Sequence, residues 1–159
     1  MPDPPFDLEY YVVARGTDFA QMLGAGKDGS VWKTVDGAAV KIHSVREVYF
    51  RELRCYERLA DRNVHDVLGL SVPELLGNDD QRLVIEMTVV SPPFLLDFAS
   101  AYLDTPPDFP PEVLAQWHED LQGRFGERYT DALAVFDELK RVAGVYLYDV
   151  HADNLKFER

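Results

Sequence analysis

The chain has 159 residues, of which 47% are apolar and 12% aromatic, enough for one compact domain with a sizeable core, and this excludes bulk disorder. Sixteen basic against 28 acidic residues give a formal net charge of −12, which disfavours nucleic acid and anionic membrane surfaces as partners, and no uncharged apolar run approaches a membrane span. A single cysteine, Cys55, and an acidic, proline-rich start where a signal peptide would be basic and apolar lead to the expectation of a soluble, cytoplasmic protein.

Residues 1–9, with Pro2, Pro4 and Pro5, read as a loose tail. Residues 10–90 read as a sheet with one helix. From Tyr10 to Ile42 the pattern is strand-like in YYVVA, SVWKTV and AAVKI, and Asp36-Gly37 between the last two signals a hairpin. A helix is predicted over residues 44–60, where Val45, Val48, Tyr49, Leu53, Tyr56 and Leu59 recur at helical spacing. Two short strands follow near residues 73–76 and 83–89, turning at Gly77-Asn78-Asp79-Asp80.

Residues 91–159 change texture. Ser91-Pro92-Pro93 breaks the strand and is expected to open a helical region. Pro111 suits the first turn of a helix with Val113, Leu114, Trp117 and Leu121 on one face. Thr130 reads as the N-cap of another, whose stripe of Leu133, Phe136, Leu139 and Val142 ends at Gly144. VYLYDVHADNLKF closes as a short strand, a polar loop and a short strand. Residues 97–138 hold ten acids against two bases, either a solvated surface or one that attracts a cationic partner. The fold class is α+β: an N-terminal antiparallel sheet with one helix, followed by a mainly helical half.

Four elements carry chemistry. Gly24, Gly26 and Gly29 form a GxGxxGxV between two strands; because it opens no helix, a dinucleotide-binding fingerprint is disfavoured. A glycine hairpin lets backbone amides approach phosphates, although the same glycines also make an ordinary turn. In Ala39-Val40-Lys41-Ile42 a strand period of two puts Ala39 and Lys41 on one face, leaving room for a flat base beside a cation. Glu52, on the next helix, is placed to hold that ammonium, with Arg51, Arg54 and Arg58 as local competitors. Asp149 and Asn154 have the spacing of a loop in which the Asp handles a hydroxyl proton and the Asn binds a metal. The four histidines have no metal-ligand spacing, and Cys55 reads as a small apolar residue on a helix.

In this order the four elements resemble the protein-kinase-like superfamily, over roughly residues 20–157. With His151 two residues after Asp149, the loop is similar to the D-x-H-x-x-N of atypical and small-molecule kinases. The resemblance implies ATP and Mg²⁺ as cofactors. It implies that Gly24, Gly26 and Gly29 cover the phosphates and that Lys41, oriented by Glu52, holds them. Val31 and Ala39 would sandwich the adenine with Ile85 behind it, and the backbone of Glu86 and Met87 would read its edge. Asp149 would be the catalytic base, His151 would lie in the nucleotide loop, and Asn154 would be a Mg²⁺ ligand.

The resemblance also implies an Asp-Phe-Gly beyond the loop, and that tripeptide occurs nowhere in the sequence; Leu147 and Tyr148 stand in the loop's His-Arg positions. Asp153 and Glu158 are the substitutes nearest in sequence. Residues 91–159 are accordingly read as a short, incomplete helical lobe. Three readings stay open. One is a kinase-like protein with weak or partner-dependent phosphoryl transfer to a hydroxyl acceptor, cationic if the acids guide it. The second is an inactive pseudokinase that binds nucleotide or docks a protein partner. The third is an interaction domain that binds no nucleotide.

Overall fold

In the computed structural model, which describes residues 1–148 and 153–158, helix α1 (Phe6–Ala14) precedes the strands β1 (Phe19–Gly26), β2 (Gly29–Thr34) and β3 (Ala38–His43). Helix α2 (Arg46–Asp61) follows, then the two-residue strands β4 (Asp66–Val67) and β5 (Leu70–Ser71), and the longer β6 (Leu75–Asp79) and β7 (Val84–Thr88). These build a five-stranded antiparallel sheet in the order β1-β2-β3-β7-β6. The expected turn forms after β2: the Thr34 hydroxyl accepts the Ala38 N–H at 3.0 Å and also bonds Asp36.

The sheet is apolar on both faces, so each face needs a cover. Trp32, Val40 and Val84 pack under Leu8, Tyr11 and Val12 of α1. Ala39, Ile85 and Met87, on the other face, pack with Tyr49, Leu53 and Tyr56 of α2 in the main core. The covering helix corrects the sequence expectation twice, because residues 1–9 are not all tail and YYVVA is not a strand. Leu8 lies one turn from Tyr11 and Val12, and all three are buried; tertiary burial overrides the β-rich local texture. The tie is polar as well: buried Glu86 of β7 accepts from the Tyr11 hydroxyl at 2.9 Å and pairs with Arg15 just beyond α1.

The second half becomes helical later than the prolines suggest. Strands β8 (Phe94–Leu95) and β9 (Tyr102–Leu103) come first, then α3 (Pro111–Phe125), with proline in its first turn. Helix α4 (Tyr129–Ala143) follows a 3₁₀ turn at Gly126–Arg128, which makes Arg128 rather than Thr130 the N-cap residue. Its buried stripe is Ala132, Val135, Phe136, Leu139 and Ala143; Phe136 and Leu139 are as predicted, and Leu133 and Val142 pack at its margin. Gly144 closes the helix in the left-handed conformation, φ 65°. Strands β10 (Val145–Tyr146) and β11 (Leu155–Lys156) complete the chain; β10 pairs with β9. The order β11-β8-β5-β4 makes a second sheet, antiparallel except between β5 and β8. Arg58 of α2 joins the halves with a two-pronged bond to Asp104, both contacts at 2.8 Å, and a third to the Ala143 carbonyl. Among the described residues no helix is long and apolar enough to cross a membrane.

Two glycines of the β1–β2 hairpin have separate jobs. Gly29 has φ 146°, and a Cβ there would lie 1.9 Å from the Ile42 carbonyl oxygen, so β2 can cross β3 only without a side chain. At Gly24 a Cβ meets nothing within 4 Å. Gly29→Ala is therefore expected to cost about 3 kcal/mol, lowering the melting temperature by roughly 6–12 °C. Gly24→Ala should melt within about 2 °C of wild type, and thermal unfolding of the two variants side by side measures the difference.

Candidate functional site

Between the five-stranded sheet and β8 lies a cleft of about 450 Å³. Its apolar end is made by Leu23, Val31 and Ala39 on one side and Phe94 and Leu96 on the other, with Met87 to Val90 along the edge. Its other end is polar, formed by Lys41, Asp97, Asp153 and Asn154. The pairing explains the shape: Lys33 lies opposite Ala39, and Val31 opposite Lys41, so Val31, Ala39 and Lys41 emerge on the same face.

Glu52 organises the polar end from below. It is fully buried, and its carboxylate lies 2.9 Å from the Lys41 ammonium. The same carboxylate accepts from His43 Nε2 at 2.8 Å and from the backbone N–H of Phe98 at 3.0 Å. Three donors from two segments, β3 and the stretch after β8, thus converge on one carboxylate that water does not reach. Burial by itself would raise the Glu52 pKa, but the Lys41 ammonium and the His43 hydrogen bond outweigh it and hold the carboxyl down at about 2. Burial likewise works against the Lys41 charge, and the Glu52 and Asp97 carboxylates reverse that, raising its pKa above that of a free lysine.

Asp97 is the residue the sequence reading overlooked. Its Oδ1 lies 3.5 Å from Lys41 Nζ and its Oδ2 accepts from Asn154 Nδ2 at 3.3 Å. The two partners are 57 residues apart in the chain. They meet because β8, just before Asp97, pairs antiparallel with β11, just after Asn154, and the Leu96 N–H bonds the Asn154 carbonyl at 2.9 Å. Counting Asp97 among surface acids is thereby corrected: it is part of the cleft. The signal was present as Leu95-Leu96-Asp97-Phe98, an apolar strand running into Asp-Phe.

The other expected residues divide. Gly24, Val31, Ala39, Met87 and Asn154 line the cleft, whereas Gly26 and Gly29 face each other at the hairpin tip and are not in its wall. Ile85 lies behind Lys41 as its cross-strand neighbour, fully buried in the core. Glu86 is a correction. It sits inside the ladder between Val40 and Gly77, and its side chain leaves through the opposite face toward Arg15, so its backbone has no free edge at the cleft. Beyond β7 the cleft is bordered by Val89 and Val90. Asp149 and His151 lie outside the described residues. Burial pushes the Cys55 thiol up to about 12, so it is no nucleophile at neutral pH.

An apolar slot that ends in a fixed ammonium and a carboxylate–amide pair can hold a flat apolar ring and an anionic tail at once. No family model and no curated protein matches the sequence. Among solved structures the chain is similar to the ternary complex of streptomycin, ATP and APH(2″)-IIa, with 16% sequence identity and a TM-score of 0.49. The alignment covers 87% of this chain and 40% of that one, so the chain spans well under half of the length of the protein it matches.

Proposed function

We propose that this chain is a kinase-like protein that binds ATP in the cleft and transfers its γ-phosphoryl group to a hydroxyl acceptor. The observation that carries the reading is the convergence of Lys41, Glu52, Asp97 and Asn154 at the polar end of an apolar slot. In this reading Val31, Ala39 and Met87 enclose the adenine, and the backbone at Val89 and Val90 reads its edge. Gly24 and Gly26 let the hairpin approach the phosphates, and Lys41, held by Glu52, binds their oxygens.

The donor set suits Mg²⁺, which favours one or two carboxylates with substrate phosphates and water completing the shell. Asp97 offers the carboxylate and Asn154 a side-chain carbonyl oxygen; among the described residues there is no closed cluster of three or more His, Cys, Asp or Glu. When bound, Mg²⁺ neutralises charge on the phosphates. Asp149, at catalytic-loop spacing from Asn154, takes the proton of the acceptor hydroxyl. The acceptor oxygen then bonds to the γ-phosphorus, the bond to the bridging oxygen breaks, and ADP leaves. The inactive alternative drew its force from a missing metal carboxylate, and the place of Asp97 beside Asn154 favours the active reading.

Thermal unfolding with ATP, with and without Mg²⁺, tests the assignment. At 100 times its dissociation constant a ligand stabilises by about 2.7 kcal/mol, or roughly 5–10 °C here. The expected result is a Mg²⁺-dependent rise that Lys41→Ala removes. A rise that ignores the metal supports the inactive nucleotide-binding module, and no rise at all sinks both.

A further inference from the structure

Five arginines of this acidic chain hold a carboxylate. Arg15 pairs with Glu86, Arg58 with Asp104, Arg82 with Asp79, Arg128 with Asp131 and Arg141 with Glu138. Arg46, Arg51 and Arg54 of α2 do not: among the described residues none of the three has a carboxylate partner, in a sequence with 28 acids. Their guanidinium groups rest on rings instead. Arg46 and Arg54 lie 5.3 and 5.7 Å from the centre of Phe50, and Arg51 lies 5.4 Å from that of Tyr102.

All three line a second cavity, about 570 Å³, between α2 and β9. Ring contacts steady the guanidinium planes and leave their N–H edges for an acceptor. Ala101 and Leu103 give the cavity an apolar side. At the helix start, Val45 has no side chain able to cap the first-turn amides, whose positive potential is offset in part by Glu47 in the first turn. Three cations against the single carboxylate of Glu47, with guanidinium edges left over and an apolar side, on a protein that is otherwise strongly negative, describe a receptor for a dianion with a hydrophobic neighbour.

We propose that this cavity binds a phosphomonoester carried on a peptide, the phosphorylated segment of a partner protein. A phosphate carries close to two negative charges and presents several acceptor oxygens, which suits converging guanidinium forks better than a single carboxylate does. The apolar side takes the residue next to the phosphorylated one. The site also lies where it matters for the cleft: α2 carries Glu52, and β9 begins a few residues after Asp97 and Phe98. A dianion bridging α2 and β9 holds Glu52 against Lys41 and the Phe98 amide, a consequence that rests on the nucleotide reading given above.

The test is calorimetric titration of a short phosphoserine peptide with apolar flanks, beside its unphosphorylated form and inorganic phosphate. The proteins are wild type, Arg51→Gln/Arg54→Gln and Lys41→Ala. Wild type and Lys41→Ala should bind the phosphopeptide alike, and the double variant at least tenfold more weakly, with an unchanged melting temperature. ADP titrated into the same proteins separates the two assignments: the double variant should keep ADP binding and Lys41→Ala should lose it. If ADP binds none of them while phosphopeptide binding still follows the arginines, the phosphate site stands and the nucleotide cleft falls. Phosphopeptide affinity that is absent, equal in the double variant, or lost with Lys41 overturns the proposal. Inorganic phosphate binding as tightly as the peptide overturns the phosphoprotein as occupant.

Discussion

Asp97→Asn is expected to remove the Mg²⁺-dependent part of ATP stabilisation and to lower phosphoryl transfer or ATP hydrolysis by roughly 10²–10³-fold, the range for losing one fixed charge-stabilising group in an active site. The substitution keeps the shape and one acceptor oxygen, toward Asn154 or Lys41, while it removes the charge and turns the other oxygen into an amide donor. Asp97 is partly open to solvent, with 36% of its side chain exposed, so the apoprotein should melt within about 2 °C of wild type. The informative pattern is a split. ATP alone should still shift the melting temperature, through Lys41 and the apolar slot, while added Mg²⁺ should contribute nothing. Asp153→Asn and Glu158→Gln serve as comparisons, since they neutralise the acids closest to Asn154 in sequence. If either of these abolishes the Mg²⁺ effect and Asp97→Asn does not, the carboxylate has been assigned to the wrong strand.

The history of Asp97 shows what the sequence could and could not disclose. Local patterns were legible: the alternation in Ala39-Val40-Lys41-Ile42 sets which side chain faces the cleft, and the 3.6-residue spacing of Tyr49, Leu53 and Tyr56 sets which side of α2 is buried. Glu52 then follows, because it shares the buried side of that helix with Leu53 and Tyr56. Asp97 is not legible in this way. Its neighbours Lys41 and Asn154 come from distant parts of the chain, and they meet only through the two-residue pairing of β8 with β11. Chain order points to a carboxylate after Asn154, whereas the fold brings it from before. Helix α1 escaped for a related reason: nothing within YYVVA says that the far face of the sheet needs a cover, and only the apolar Trp32, Val40 and Val84 make a helix there worth forming. The place of Glu86 is not legible either, because a glutamate in the middle of an apolar strand gives no hint that Arg15 and Tyr11 wait on the other side.

Glu52→Gln should produce the largest loss of stability in the cleft, together with loss of nucleotide binding. The carboxylate is wholly buried, and three donors depend on it. The amide of glutamine can still accept from the Phe98 N–H, but it leaves the Lys41 ammonium without its main counter-charge in a site that water barely reaches. Breaking a buried ion pair from one side costs about 3 kcal/mol or more, equivalent to roughly 6–12 °C in this size of chain. The pH dependence gives an independent check on the sign. With a native pKa of about 2 against an ordinary value of 4.5, the Glu52 carboxyl binds its proton more weakly in the folded state than in the unfolded one. Its contribution is therefore complete above about pH 4.5 and is lost as the pH falls toward 2. Other acids titrate in the same window, so wild-type acid unfolding alone does not isolate it. The difference in urea midpoint between wild type and Glu52→Gln does: it should be widest at pH 6, shrink below pH 4.5, and approach closure near pH 2 if both proteins remain folded enough to measure. A difference that stays constant from pH 6 to pH 3 means that the stabilisation comes from side-chain packing rather than charge, and Lys41 would then lack the electrostatic anchor that the nucleotide reading requires.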